Sequence, residues 1–381
     1  MHQAYRVALT SVGAALIAGC GLLSSPTPPL IGPDRTPPTA APALMQASAR
    51  WLPAAWSDLP GWTNDRTLEA LGALRRSCER IAPDQQRAWQ PLCAEALRAA
   101  PASDAAARAW IEQRLAPYRV MPLDAAASGE GLATGYFEPV IDASRMPRGA
   151  MNVPLYRPPA DLAARKPWYT RAEIDTLPAA QAALRGREIA YVADPIDALL
   201  LQVQGSGRLR VAEADGRVNT VRLAWAGHND HAYVSIGRWL IDKGELKGND
   251  ASWPAIRDWV RRNPQRVPQM LAANPRFVFF REEPLPDASV GPRGSQGVAL
   301  TPERSIAVDP RAIPLGTPVW LDTTEPLTST PLRRLVLAQD TGSAITGAVR
   351  ADYFWGTGER AEQQAGRMKQ PLRMWVLWPR P

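Results

Sequence analysis

The pattern of apolar and polar positions changes twice along the chain. Residues 45 to 120 are rich in Ala, Leu and Arg and poor in β-branched side chains. Apolar positions recur there at helical spacing, which predicts helices near 66–81, 86–100 and 102–115. Trp51, Trp56 and Trp62 are candidates to pack this region. From about residue 131, short apolar runs alternate with turn residues. Gly135–Ile141, Ile189–Val192, Leu199–Val203, Leu209–Ala212 and Val221–Ala224 therefore read as strands. A helical interlude is predicted over Ser235–Lys243, Trp253–Asn263 and Pro268–Asn274, and Phe277–Phe280 returns to strand. The last ninety residues again read as sheet, with Ser305–Val308, Thr317–Leu321, Leu335–Gln339 and Leu372–Leu377 as strands and one helix at Arg360–Met368. No internal repeat is visible. The many strands predict closed barrels, which leave no exposed edge.

The first twenty residues follow different rules. Arg6 gives a short positive start, and Val7 to Gly19 is uncharged and mostly apolar. The run is too short for a stable membrane span and has the layout of a signal peptide, residues 1–19. It ends in Leu16-Ile17-Ala18-Gly19-Cys20, which resembles the bacterial lipobox. That resemblance implies acyl chains on Cys20, an anchor stronger than one chain alone. Gly21 rather than Asp after the cysteine favours, by analogy with lipoprotein sorting, the periplasmic face of the outer membrane. The other reading is an ordinary cleaved signal with an incidental cysteine. Residues 21 to 44 hold seven prolines among small polar residues, so 20–44 reads as a tether that builds no core.

Cys78 and Cys93 remain, fifteen positions apart. In an oxidising compartment they are candidates for a disulfide between two helices, and two buried thiols are the alternative. Hydrophobic content of 45% and charged content of 21% suit a globular protein. The formal charge of +7 becomes +6 once Arg6 leaves with the signal peptide. A basic balance suits an anionic polymer such as cell wall. Lys and Arg are scattered, with no nucleic-acid motif, so no nucleic-acid partner is expected.

Candidate chemistry concentrates near the C-terminus. Asp309 and Asp340 each follow a strand-like run, and Asp352 falls in a stretch that reads as a Gly-rich loop. Tyr353, Phe354 and Trp355 beside it could form an apolar wall. Glycosidic cleavage needs one carboxyl kept protonated near neutral pH, and a second carboxylate or an apolar wall raises a pKa in that direction. His228-Asn229-Asp230-His231 offers only two histidines and reads as a solvated turn, so no metal is expected; no cofactor motif occurs either.

The order of Asp309, Asp340 and Asp352 resembles the three-aspartate (3D) domain of the membrane-bound lytic murein transglycosylase A family. Thr134-Gly135-Tyr136-Phe137-Glu138-Pro139, Gln202-Val203-Gln204-Gly205-Ser206-Gly207, Tyr233–Gly237, Phe279–Arg281, Gly294–Val298 and Leu300-Thr301 resemble further segments of that family. Together they span about residue 50 to 381. The resemblance implies a mainly β fold with N-terminal helices. A double-psi β-barrel domain would come from 45–137 and 275–381, and a smaller β-barrel domain would be inserted at 138–274, with a glycan groove between them. It implies that Asp352 is the general acid and then the base in cleaving the MurNAc–GlcNAc β-1,4 bond, leaving 1,6-anhydro-MurNAc ends. Asp340 would support it; Asp309, followed by Pro310, reads as a structural residue that opens a turn. Thr134, Tyr136, Gln202, Gln204 and Ser206 would be glycan contacts or fold supports. If the alignment of the loop from Gly347 slips, Asp340 becomes the acid. The implied partners are peptidoglycan strands, the outer membrane through the lipid, and other cell-wall enzymes.

Three rival readings differ in testable ways. Asp340-Thr341-Gly342-Ser343 matches the aspartic-protease tetrapeptide, but no second copy occurs, so only a dimer could work that way. A water-using hydrolase would leave reducing ends. A non-catalytic wall binder would release no sugar.

Overall fold

The computed structural model describes residues 42–247 and 251–380. The signal peptide, Cys20 and nearly all of the tether lie outside the described residues. The chain opens with β1 (Leu44–Met45) and β2 (Arg50–Pro53), then α1 (Thr67–Ser77), α2 (Gln86–Arg98) and α3 (Asp104–Arg114). Next come β3 (Leu115–Met121) and β4 (Gly131–Glu138). The middle supplies β5 (Val140–Ser144), β6 (Val153–Tyr156), α4 (Arg171–Thr176), α5 (Pro178–Leu184), β7 (Glu188–Val192), α6 (Pro195–Gln204), β8 (Ser206–Ala212) and β9 (Val218–His228). Then follow α7 (Ile236–Asp242), α8 (Trp253–Arg262), α9 (Val267–Ala272) and β10 (Val278–Pro284). The last part is β11 (Ser305–Val308), β12 (Pro318–Thr324), β13 (Pro331–Asp340), β14 (Arg350–Thr357), α10 (Glu359–Ala365) and β15 (Lys369–Pro379).

One sheet runs β1-β2-β3-β15-β12-β13-β11-β14-β4, and β4 also pairs with β15. That extra pairing closes β15, β12, β13, β11, β14 and β4 into a ring. The strands read as unbroken apolar runs because both faces are covered. Val319, Leu321, Val336, Ala338, Met374 and Val376 fill the inside of the ring. Their neighbours Trp320, Leu335, Leu337, Trp375 and Leu377 face outward into a second core built with α1, α2 and α3. Side chains alternate along a strand, so each run feeds two cores at once. Cys78, at the end of α1, is disulfide-bonded to Cys93 in α2.

The second sheet runs β10-β9-β8-β5-β7-β6 over a core of Ile141, Leu209, Leu223 and Phe280. A closed barrel was the expectation here. Its edges β10 and β6 lie side by side but exchange no ladder bonds. β6 carries Pro154 and β10 ends in Pro284, and proline has no N–H to give a ladder.

Two further expectations are corrected. Leu199–Val203 is helix, not strand. Asp194 caps α6 by accepting from the Ile196 N–H, Pro195 takes the first turn, and Gly205 ends it at φ +76°. Ile196 and Leu199 bury one stripe and Ala198 and Leu201 another, so an amphipathic helix imitates a short apolar strand. His228–His231 is not a solvated turn. Asn229 is fully buried; its side chain donates to the carbonyls of Tyr169 and Pro275 and accepts from the Phe277 N–H.

The chain crosses between the sheets at Glu138. Its carboxylate is fully buried and accepts from Arg208 of β8 at 2.7 Å and Arg222 of β9 at 2.6 Å. The same two guanidiniums donate to the carbonyls of Ala288 and Val290 on the return crossing.

Candidate active site

Four residues line up across the closed sheet. In register, Asp340 ending β13 neighbours Ala307 of β11, Ala307 neighbours Asp352 of β14, and Asp352 neighbours Thr134 of β4. Adjacent strands lie about 4.8 Å apart and cross-strand neighbours share a face, so the two carboxyl groups flank the small methyl of Ala307. Asp352 therefore lies within a strand, not in the loop the sequence suggested. Alternation puts Arg350, Asp352 and Phe354 on one face. Tyr353 and Trp355 point the other way, into the ring core, so of the three expected wall aromatics only Phe354 is on the Asp352 side. Tyr136 packs against it in a tilted arrangement, 5.1 Å between ring centres. Gly135 is required between Thr134 and Tyr136. A Cβ there would come within 2.7 Å of the Trp355 indole and 2.9 Å of the Ala365 backbone.

The two carboxylates are held differently. Asp340 accepts from the Ser295 N–H at 2.9 Å, the Ser295 hydroxyl at 2.7 Å, the Thr341 N–H at 2.9 Å and the Tyr136 hydroxyl at 3.1 Å. Burial lifts its pKa above the usual carboxylate range, and the donors from Ser295, Thr341 and Tyr136 oppose that lift. Asp352 has one hydrogen-bond partner among the described residues, the Thr134 hydroxyl, 2.6 Å from Oδ1. Burial pushes its carboxyl up to about 6, the charge of Asp340 adds to this, and Thr134 and Arg350 pull the other way. Burial, followed by the charges of Asp340 and Asp352, drives the Tyr136 phenol well up, so it stays a donor.

Asp309 is buried and accepts from the Arg311 guanidinium and the N–H groups of Arg311 and Gly347. These bonds, those from the Arg311 guanidinium foremost, hold its pKa low, and they tie the end of β11 to the loop leading into β14. Gln204 accepts from the Phe137 N–H at 3.1 Å and so fixes β4 one residue past Tyr136. Gln202 is buried, and its oxygen is taken by the Arg171 guanidinium. Ser206 opens β8 opposite Ala224 and makes no side-chain bond to the aspartates. The site thus gathers Thr134, Tyr136, Asp340 and Asp352, with Gln204 one step behind.

Sequence reasoning missed Ser295, Arg350 and Ala307. Arg350 was legible in principle, since it precedes Asp352 by two and a strand reading places both on one face. Among the described residues, no group of three His, Cys, Asp or Glu side chains could hold a metal.

Comparison with known proteins bears on this arrangement. The family profile of the MltA specific insert domain matches residues 132–281, and that of the 3D domain matches residues 304–378. The membrane-bound lytic murein transglycosylase A of Vibrio cholerae is 36% identical over 257 residues, 65% of this chain and 66% of that protein. The match thus spans just under two thirds of that relative. The structure of the lytic transglycosylase LtgG of Burkholderia pseudomallei is 48% identical, with a TM-score of 0.60 over 90% of this chain and 99% of that one. MltA from Neisseria gonorrhoeae is 32% identical, with a TM-score of 0.74 over 90% of this chain and 96% of that one. MltA from Escherichia coli, solved with bound chitohexaose, is 29% identical, with a TM-score of 0.65 over 89% and 94%.

Proposed function

Because the chain belongs to the membrane-bound lytic murein transglycosylase A family, we propose that it cleaves peptidoglycan strands at the MurNAc–GlcNAc β-1,4 bond without consuming water. The observation that carries this is Asp352. Its carboxyl is raised to about 6, with Tyr136 and Phe354 next to it along the same face and a second carboxylate, Asp340, across Ala307. In the first step its proton passes to the glycosidic oxygen and the C1–O bond breaks. The muramic C6 hydroxyl then bonds to C1, and its proton returns to the Asp352 carboxylate. The product is a 1,6-anhydro end. A hydrolase needs a second carboxyl to activate water or attack the sugar. Here the nucleophile is already held within the substrate, so one carboxyl suffices.

In this reading Asp340, rich in donors, stays the supporting anion, and Asp309 is structural. Thr134, Tyr136, Gln204 and Ser206 line the glycan path, while Gln202 acts through the fold by way of Arg171. The chitohexaose bound to the Escherichia coli relative supports a glycan ligand. Residues 45–137 and 275–381 would form one domain and 138–274 an insert, with the glycan in the groove between them. Two parallel pairings in the ring, β11 with β13 and β14 with β4, support a double-psi barrel for the first. Cleavage after residue 19, acylation of Cys20 and a tether to residue 44 would hold the enzyme at the periplasmic face of the outer membrane. Other cell-wall enzymes would be its neighbours there. The word membrane-bound in the relatives' names supports that placement.

Mass spectrometry of muropeptides released from purified sacculi tests the reading. Products lighter by one water than reducing-end muropeptides are expected. Asp352→Asn should lower the rate at least about 100-fold. Ordinary reducing ends, or an undiminished variant, would overturn it.

A further inference from the structure

Arg350 belongs to no part of the reaction described so far, yet it reaches the site. It stands two residues before Asp352 on β14, and its Nη2 donates to the Thr134 hydroxyl oxygen at 2.8 Å. Its Nη1 donates to the Ala351 carbonyl at 2.6 Å, which pins the guanidinium in place. Guanidinium groups have donors only. Thr134 Oγ1 must therefore accept from Arg350, which leaves its single hydrogen for another partner. Among the described residues the remaining contact of Oγ1 is Asp352 Oδ1, at 2.6 Å. If Asp352 instead donated to Thr134, the threonine hydrogen would lose its acceptor at a half-buried position.

We propose that Arg350 is a positioning residue that acts through Thr134. It orients the threonine hydroxyl as a donor to Asp352 Oδ1 and so confines the transferable proton of Asp352 to Oδ2. This inference rests on the reading of Asp352 as the acid. The outgoing proton leaves from Oδ2 toward the glycosidic oxygen, and the C6 hydroxyl proton returns to the same oxygen, so the carboxyl ends as it began. Without Arg350 the threonine hydroxyl turns freely, and the neutral carboxyl can place its proton on either oxygen. The threonine oxygen can then accept from Oδ1–H, which favours the proton on the oxygen that points away from the bond to be broken.

The test is a set of pH–rate profiles on purified sacculi for the full chain. R350M removes donors and charge. T134V removes the relay and T134S keeps it. R350K keeps a cation with rotatable donors and loses the planar fork that reaches Thr134 and Ala351 together. R350M is expected to lower kcat by about 10-fold or more and to move the alkaline limb upward by about one pH unit, because a cation near a carboxylate holds it ionised. T134V should do likewise and T134S should restore the rate. In a T134V background R350M should cost little further rate, since the relay it feeds is gone. A mutation that merely loosened the fold would lower the rate at every pH and leave the limb in place. If R350M does not fold, the T134V and T134S pair carries the test, and R350K, which keeps a charged donor, is expected to retain the wild-type limb. The proposal is overturned if R350M keeps the wild-type limb, or if its cost is the same with and without Thr134. Full activity of D352N would instead sink the underlying reading, whereas an inactive D352N beside an unaffected R350M sinks this proposal alone.

Discussion

Replacing Asp352 by Asn should stabilise the protein, but only where the carboxyl would be ionised. Unfolded, this side chain titrates near the ordinary aspartate value of 3.8; folded, it is lifted to about 6. The native state therefore binds the proton more tightly than the unfolded chain does. That contribution to stability is present in full below about pH 4 and is lost as pH rises through about 6. The gap of about two units at about 1.4 kcal/mol each amounts to about 3 kcal/mol above pH 7. This is an upper figure, since part of the Asp352 surface meets solvent. An amide carries no charge and keeps an oxygen for the Thr134 hydroxyl. The variant should melt close to wild type at pH 4 and about 4 °C higher at pH 8. Thermal unfolding of both proteins at half-unit pH steps measures this directly. A difference between the two proteins that does not change with pH, or a variant less stable than wild type at pH 8, would refute the idea that burial strains the ionised carboxylate. The measurement needs no substrate, so it separates the electrostatics of the site from the chemistry assigned to it.

The alkaline limb of kcat/KM should have its midpoint near pH 6, falling about tenfold per unit above it; Asp340→Asn removes a charge that raises Asp352, so a pH–rate series should place its midpoint lower. Cys78→Ser with Cys93→Ser opens a loop of fifteen residues and should cost about 3 kcal/mol, read as a lower denaturant midpoint with activity kept at 25 °C. Glu138→Leu leaves Arg208 and Arg222 as buried charges without their shared anion. A loss of about 3–5 kcal/mol, or insoluble protein, is expected, and denaturant unfolding of whatever soluble protein is recovered measures it.

Much of the fold was legible because each pattern had a single physical reading. The helical spacing at 86–100 corresponds to α2, and the mostly apolar Ser305–Val308 run is β11 to the residue. The errors fall where two patterns coincide. Leu199–Val203 has the length and composition of a buried strand, and only the Asp194-Pro195 start and the Gly205 stop mark it as helix. Asp352 looked like a loop residue because glycines stand at 347, 356 and 358. Yet Ala351, Tyr353 and Trp355 alternate into the ring core and make 350–357 a strand. The three aspartates could be named from sequence, but their unequal surroundings could not. Ser295, forty-five positions before Asp340, and Arg350, held to Thr134 more than two hundred positions away, are joined to the site by barrel closure. No local pattern encodes that.

The division of labour between the two inner aspartates follows from donors more than from burial. Both carboxyls are desolvated, and burial leads the upward shift in each. Asp340 has three side-chain and backbone donors from Ser295 and Tyr136, plus its neighbour's N–H. Each favours the anion, because a neutral carboxyl accepts fewer strong hydrogen bonds than a carboxylate does. Asp352 has only the Thr134 hydroxyl, and it also feels the charge on Asp340. Once one of the pair is well solvated by protein donors, the other becomes the cheaper place to keep a proton. Pairs whose environments push their pKa values apart are how carboxyls acquire distinct acid and base roles. On this ground Tyr136 and Ser295 matter to catalysis through Asp340. Removing their hydroxyls should return part of the proton to Asp340 and weaken the acid at Asp352, even though neither residue touches that carboxyl.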